Sequence, residues 1–175
     1  MKQRIILSPA ALENADFIAD IKTDTELWPY EDDVASADRE SVHRKVLERM
    51  NSDWYKQYII LLDGPDRTPI GTLHMHWYVK ERKSWEIGFC IFPEYRKQGY
   101  CIEAGRIALE LAFKDWNAHK VVGMCNEHNT ASRKAMEMLG MTREGTFRQE
   151  LPWKNGWADQ FFYCILESEY GKMRH

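Results

Sequence analysis

The sequence predicts a mixed α/β fold, and three observations carry that expectation. Short apolar runs such as residues 58–62 and 84–92 suit strands, bounded as they are by turn-forming residues. Between them lie longer stretches with helical spacing, above all residues 100–116. No repeat and no Pro/Gly/Ser-rich linker breaks this alternation, so residues 1–175 are expected to form one domain.

In chain order, residues 3–8 are expected as a first strand, with Ile5 and Leu7 on one face. Residues 9–23 follow as a helix, with Leu12, Ala15, Ile18, Ala19 and Lys22 at near-helical spacing. Residues 24–33 are irregular. Residues 36–50 are a second helix, with Ser36 or Asp38 as its N-cap. Residues 58–62 form a buried strand, and Asp63-Gly64-Pro65-Asp66 supplies a turn. Strands at 70–79 and 84–92 flank the turn Glu81-Arg82-Lys83, and Pro93 ends the second because it has no N–H to donate. The helix at 100–116 carries Ile102, Ile107, Leu109, Leu111, Ala112 and Trp116. A strand at 120–125, a helix at 130–139 and a strand at 142–151 follow. Asn155-Gly156 is a hairpin signal before a last strand at 157–166.

Composition narrows the class of function. Apolar residues are 44% of the 175 and aromatics 13%, which suits a packed core rather than disorder. No run approaches the roughly 18 apolar residues that cross a bilayer, so no membrane span is expected. Met1-Lys2-Gln3-Arg4 leads into a strand rather than a signal-peptide core. Cys90, Cys101, Cys125 and Cys164 show no Cys-x-x-Cys spacing; neither a metal site nor a disulfide framework is expected, and the cytoplasm is the assigned compartment. A net charge of −3 argues against a nucleic-acid partner.

The stretch Arg96-Lys97-Gln98-Gly99-Tyr100-Cys101 is the most informative, because it joins a strand to a helix. A basic, glycine-containing turn that opens a helix leaves several N–H groups unpaired beside the positive end of the helix dipole, which suits phosphate oxygens. A solvated surface turn is the alternative. The stretch resembles the acetyl-CoA pyrophosphate loop Arg/Gln-x-x-Gly-x-Gly/Ala of the GNAT N-acetyltransferase superfamily, with Cys101 at the last position. Asn129-Thr130-Ala131-Ser132 through Leu139-Gly140-Met141 is similar to that family's Asn-x-x-Ser helix, with Met141 where phenylalanine is usual. Trp153-Lys154-Asn155-Gly156-Trp157-Ala158-Asp159 resembles the C-terminal hairpin of the branch that acetylates ribosomal-protein N-termini and polyamines, and Arg4-Ile5-Ile6-Leu7-Ser8-Pro9 extends the likeness weakly to the start.

That resemblance implies a single GNAT domain with a mostly antiparallel seven-stranded sheet, splayed in the middle and flanked by helices. It implies acetyl-CoA as cofactor and a primary amine as acceptor. The implied order of acceptors is a ribosomal-type protein N-terminus, then a polyamine, then another small amine. A non-catalytic acyl-CoA-binding module is the rival, and a homodimer is left open. Cofactor contacts carried over are Cys90, Ile91, Phe92, Arg96, Lys97, Gln98, Gly99, Tyr100, Cys101, Ile102, Asn129 and Ser132. Many members place a proton-donating tyrosine where this chain has Met136, and a thioether gives no proton; Ser132 or a water is the expected substitute. Asn129 and Ser132 are also common helix caps.

For the base, Glu86 comes first, since apolar neighbours on a central strand raise a carboxylate pKa; an edge glutamate paired with Arg82 or Lys83 is the alternative. His74 and His76 share one strand face, and Glu150 is a further candidate. A Cys90 nucleophile is disfavoured, because no histidine is placed to activate it. Trp28, Tyr30 and Glu31, with Asp32 and Asp33, offer an aromatic and acidic rim for a cationic amine, or else a solvated loop over packed aromatics.

Overall fold

The computed structural model describes residues 3–31 and 38–172. Its strands are β1 (Ile5–Pro9), β2 (Tyr55–Leu62), β3 (Pro69–Val79), β4 (Ser84–Ile91), β5 (Lys120–Asn126), β6 (Thr142–Trp153) and β7 (Gly156–Leu166). Its helices are α1 (Ala15–Thr23), α2 (Arg39–Met50), α3 (Tyr100–Glu110), α4 (Thr130–Met138) and α5 (Glu167–Lys172). The strands form one sheet in the order β1-β2-β3-β4-β5-β7-β6. The paired β1–β2, β5–β7 and β6–β7 are antiparallel, and β4–β5 is parallel.

Pro9 was expected to start a helix. It instead ends β1 opposite Tyr58, and the next amide, Ala10, donates to Gln57 O at 2.9 Å. Pairing with β2 thus carries the extended backbone past the proline, and one short 3₁₀ turn (Leu12–Asn14) precedes α1. Asp38 caps α2 by accepting from the Ser41 amide at 2.8 Å, whereas Ser36, Asp32 and Asp33 lie outside the described residues. The hairpin differs by one position. Trp153 pairs with Gly156, so Lys154 and Asn155 are the central residues, and Lys154 takes the positive φ of 51°. The glycine therefore serves β7 rather than the turn. The helix expected over 100–116 becomes α3 plus a π-helical turn at Leu111–Asp115. The short α5, with Glu167 and Glu169 in its first turn, was not anticipated.

The chain separates into two compact units. The first takes in the described residues up to His74 together with Phe89–Ala104. Its core packs Ala15, Ile18 and Val46 with Phe17, Val42, Leu47 and Met50, joining α1 to α2. Phe17 meets Phe92 edge to face at 6.3 Å. The second takes in Met75–Gly88 and the described residues from Gly105 on. In it Val122, Phe162 and Cys164 cluster with Met124 on one side of β5 and β7. Trp85 lies against Trp77 and Trp116, at 4.1 and 4.8 Å between ring centroids.

Two glycines mark close approaches. A Cβ at Gly71 would collide with the carbonyl oxygen of Cys90, which is backbone and has no freedom to retreat. A Cβ at Gly123 would lie 2.8 Å from the Met136 sulfur, which a rotamer change can move. Gly71→Ala is therefore expected to destabilise the fold by about 2 kcal/mol or more, and Gly123→Ala by clearly less. Urea unfolding of the two variants checks the order; equal losses would contradict it.

Candidate active site

The turn from β4 into α3 is built by two residues with positive φ, Lys97 at 60° and Gly99 at 85°. Glycine occupies that region without a Cβ penalty, and lysine does so at a modest cost that its neighbours must offset. Pro93 to Tyr95 form one 3₁₀ turn, and the Arg96 amide closes it on Pro93 O at 3.2 Å. The Arg96 side chain folds back, with Nε donating to Ile91 O at 2.8 Å, and so ties the turn to the end of β4.

Counting donors shows what the turn offers. The Ile102 and Glu103 amides both go to Gly99 O at 3.1 Å, and the Phe92 amide goes to Ile70 O at 2.9 Å. The amides of Lys97, Gln98, Gly99, Tyr100 and Cys101 have no acceptor among the described residues. Five such donors, on an exposed turn and the first two residues of an 11-residue helix, make a cluster of partial positive charges. Unpaired amides at the head of a helix are the kind of group from which phosphate oxygens accept hydrogen bonds. The amides of Ile102 and Phe92, both carried over as cofactor contacts, already have partners. Cys101 and Cys90 lie under this region, and burial pushes their thiols up to about 12 and about 11.

Trp28, Tyr30, Glu31 and His74 also belong to the first unit. The Trp28 indole donates to Ile21 O at 2.8 Å, closing the C-terminus of α1, and Glu31 N donates to Trp28 O at 3.1 Å. Tyr30 is half-buried and Glu31 exposed. His74 stacks on Tyr55 at 5.4 Å. Lys22, read from the sequence only as part of a helical stripe, is a second positive group here. Burial lowers its pKa to about 8, Arg49 adds to the fall, and Glu31 and Cys90 oppose it.

Glu86, Ser132, Asn129 and Glu150 belong to the second unit. Glu86 occupies the last paired position of the β4–β5 ladder, opposite Val122. Desolvation raises its pKa to about 7, and its Oε2 lies 3.5 Å from His76 Nε2. The expected alternative of a pair with Arg82 or Lys83 is not what forms; His76, two residues beyond His74, is the neighbour. Asn129 caps α4, its Oδ1 accepting from Ser132 N at 3.0 Å. Burial holds the Cys125 thiol up at about 11, while Arg133 and the Ser132 hydroxyl pull it the other way. Glu150 is exposed on β6, between the irregular register positions Phe147 and Leu151. Met136 is buried at 2% exposure beside Gly123.

A family model described as the acetyltransferase (GNAT) domain matches residues 4–142. The chain belongs to the GNAT acetyltransferase family. It is an acyltransferase by that membership, with acetyl-CoA as the family's cofactor. The uncharacterized N-acetyltransferase YnaD of Bacillus subtilis (strain 168) is 38% identical over 101 residues, which are 58% of this chain and 59% of that relative. The chain thus spans less than two thirds of that relative's length. YdaF of Bacillus subtilis (strain 168), whose name assigns it provisionally to ribosomal N-acetylation, is 26% identical over 131 residues, 70% of each. The spermidine N-acetyltransferase from Vibrio cholerae, solved in complex with CoA and spermine, superposes with a TM-score of 0.85 at 18% identity, over 97% of this chain and 99% of that one. At that identity the likeness speaks for the fold.

Cys90 provides a direct check on the electrostatics of this GNAT protein. With a pKa near 11, about one thiol in ten thousand is ionised at pH 7. Cys90→Ala is therefore expected to retain turnover, and native Cys90 to react with iodoacetamide far more slowly than the urea-unfolded chain, read by peptide mass spectrometry. Fast native labelling at Cys90 would overturn the buried-thiol assignment.

Proposed function

We propose that this chain transfers an acetyl group from acetyl-CoA to a primary amine, with a protein N-terminal α-amine as the first acceptor. The observation that carries this reading is the set of unaccepted amides from Lys97 to Cys101 at the head of α3. Acetyl-CoA, when bound, brings an activated thioester carbonyl and a thiolate leaving group. The chain's own part is to hold, orient and move protons. The amides of Lys97, Gln98, Gly99, Tyr100 and Cys101 would grip the diphosphate, and the stretch Cys90-Ile91-Phe92 would border the pantetheine arm; Asn129 is proposed separately as a further cofactor contact.

Glu86 is the proton acceptor in this reading. A carboxyl with a pKa of about 7 is half ionised at neutral pH, which suits taking a proton from an ammonium on its way to the thioester. His76 at 3.5 Å supplies a second polar group that can receive that proton or steady the carboxyl. Ser132 is the proposed proton source for the thiolate. A coenzyme thiolate leaves readily, so the demand on it is small.

The acceptor is read from chemistry at the rim. Trp28, Tyr30 and Glu31 suit a cationic amine, and Glu150 and His74 are proposed as further acceptor contacts. The name of YdaF supports a protein N-terminus. A polyamine is the second reading, supported by the exposed Glu31 beside aromatic residues and by the shared fold with the spermidine enzyme. Four free thiols suit a reducing compartment, so the cytoplasm is the proposed location.

Thiol release from acetyl-CoA, measured with peptides beginning in Ala or Ser and with spermidine, tests the reading. Release accelerated by the peptides is expected. Acetyl-CoA binding with no amine-dependent release would leave only an acyl-CoA-binding module. In the same assay kcat should rise with pH up to about 7 and then level, since the working form of Glu86 is the ionised one. Glu86→Gln should lower kcat roughly a hundredfold and erase that limb; an unaltered pH profile would remove Glu86 from the role.

The same shift has a sign for stability. A carboxyl raised from 4.5 to about 7 on folding favours the native state while protonated, and that advantage is lost as pH climbs through about 7. Glu86→Gln should therefore raise Tm more at pH 8 than at pH 5. The difference corresponds to at most about 3 kcal/mol, and thermal melts at the two pH values measure it.

A further inference from the structure

The strongest unassigned cluster surrounds Arg4, the residue just before β1. Its backbone N–H donates to Glu103 Oε1 at 2.6 Å and its Nε to Glu103 Oε2 at 3.0 Å. Its Nη2 donates to Gln98 O at 3.2 Å, and its guanidinium lies 4.7 Å over the Tyr100 ring. Its own carbonyl is held by the Asp63 amide at 2.8 Å. One side chain, on the residue that leads into β1, therefore touches the turn at Gln98 and the start of α3 at Tyr100 and Glu103. All of these groups belong to one compact unit.

The contact with Gln98 O matters most. A trans peptide is planar, and its C=O and the following N–H point in opposite directions. Fixing Gln98 O toward Arg4 therefore fixes the Gly99 N–H away from it. Gly99, with φ at 85° and no Cβ, is the residue here with most freedom to let that peptide turn over. Glu103 meanwhile donates its amide to Gly99 O at 3.1 Å. Arg4 thus clamps the peptide on either side of Gly99, one directly and one through Glu103.

We propose that Arg4 is a positioning residue for the diphosphate turn: its fork to Glu103 and Gln98 O presets the direction of the Gly99 amide before the cofactor arrives. This rests on the acetyl-CoA reading given above. The arginine touches none of the reacting atoms. It removes an ordering cost that binding would otherwise carry. Lysine cannot replace it, because one ammonium lacks the planar fork that reaches carboxylate and carbonyl together. An exposed ion pair of this kind contributes little to stability, so the effect belongs to binding.

The test uses Arg4→Met and Arg4→Lys in the full chain, with two donors: acetyl-CoA, and S-acetylpantetheine, which has no diphosphate. Loss of one preset, charge-assisted contact is expected to raise KM for acetyl-CoA roughly tenfold with kcat within about twofold. CoA affinity by calorimetry should fall in parallel. kcat/KM for S-acetylpantetheine and the melting temperature should stay near wild type. Unchanged CoA affinity in the variants would overturn the proposal, as would equal losses with both donors, which is the mark of a merely structural residue. Should Arg4→Met not fold, Arg4→Lys decides by the same two readings. A wild-type chain that binds no CoA would sink the underlying acetyltransferase reading, an outcome distinct from variants that bind as well as wild type.

Discussion

The parallel ladder between β4 and β5 is only three positions long, from Ser84 with Lys120 to Glu86 with Val122. The proposed chemistry depends on where that ladder stops. Backbone donors and acceptors without a sheet partner must find water, a side chain or a ligand, since leaving them empty is costly. Glu86 stands at the last paired position, where desolvation is strong enough to lift its carboxyl to about 7. The antiparallel ladders are longer: β5 meets β7 at seven positions, from Lys120 with Leu166 to Asn126 with Gln160. A short parallel pairing on one side of β5 thus stands against a long antiparallel one on the other.

Local chemistry was legible in the sequence, and distant partnership was not. Pro93 and the glycine at 99 announced the end of a strand and a turn into a helix, because each has a backbone property that no other residue supplies. The Asn-cap at 129 was legible for the same reason. Pro9 misled: its fixed φ fits a helical first turn and an extended edge about equally, and pairing with Tyr58 decided between them. The hairpin register could not be read from Asn155-Gly156 alone, since the pairing of Trp153 with Gly156 sets which two residues turn. The contacts that the sequence did not announce, those of Arg4 with Glu103 and of His76 with Glu86, involve residues with plain sequence surroundings. What gives them meaning is a partner, 99 residues away for Arg4, that no periodicity reports.

Burial and charge separate the reactive groups from the inert ones. Cys90, Cys101, Cys125 and Cys164 all have thiol pKa values of about 11 to 12, and burial is the leading cause for each. They behave as small apolar residues with weak S–H donors. Glu86 is the contrasting case. The same desolvation that silences a thiol brings a carboxyl into the working range, because its unperturbed value starts low rather than high. One physical effect thus disfavours a covalent cysteine route and leaves a carboxyl able, in the proposed reaction, to take up a proton near neutral pH.

Met136 shows how packing can displace a chemical group from a site. Gly123 leaves β5 without a side chain, and the Met136 sulfur fills that space, with Met141 and Ile87 close by. A tyrosine at 136 would have to fit the same buried position, where the ring would meet the strand and its hydroxyl would need a partner. Met136 and Gly123 are therefore a matched pair in the core. It follows that restoring a proton donor by Met136→Tyr alone would overpack the core before it could assist the thiolate. In the proposed reaction, departure of the thiolate therefore rests on its own acidity, on Ser132, or on water.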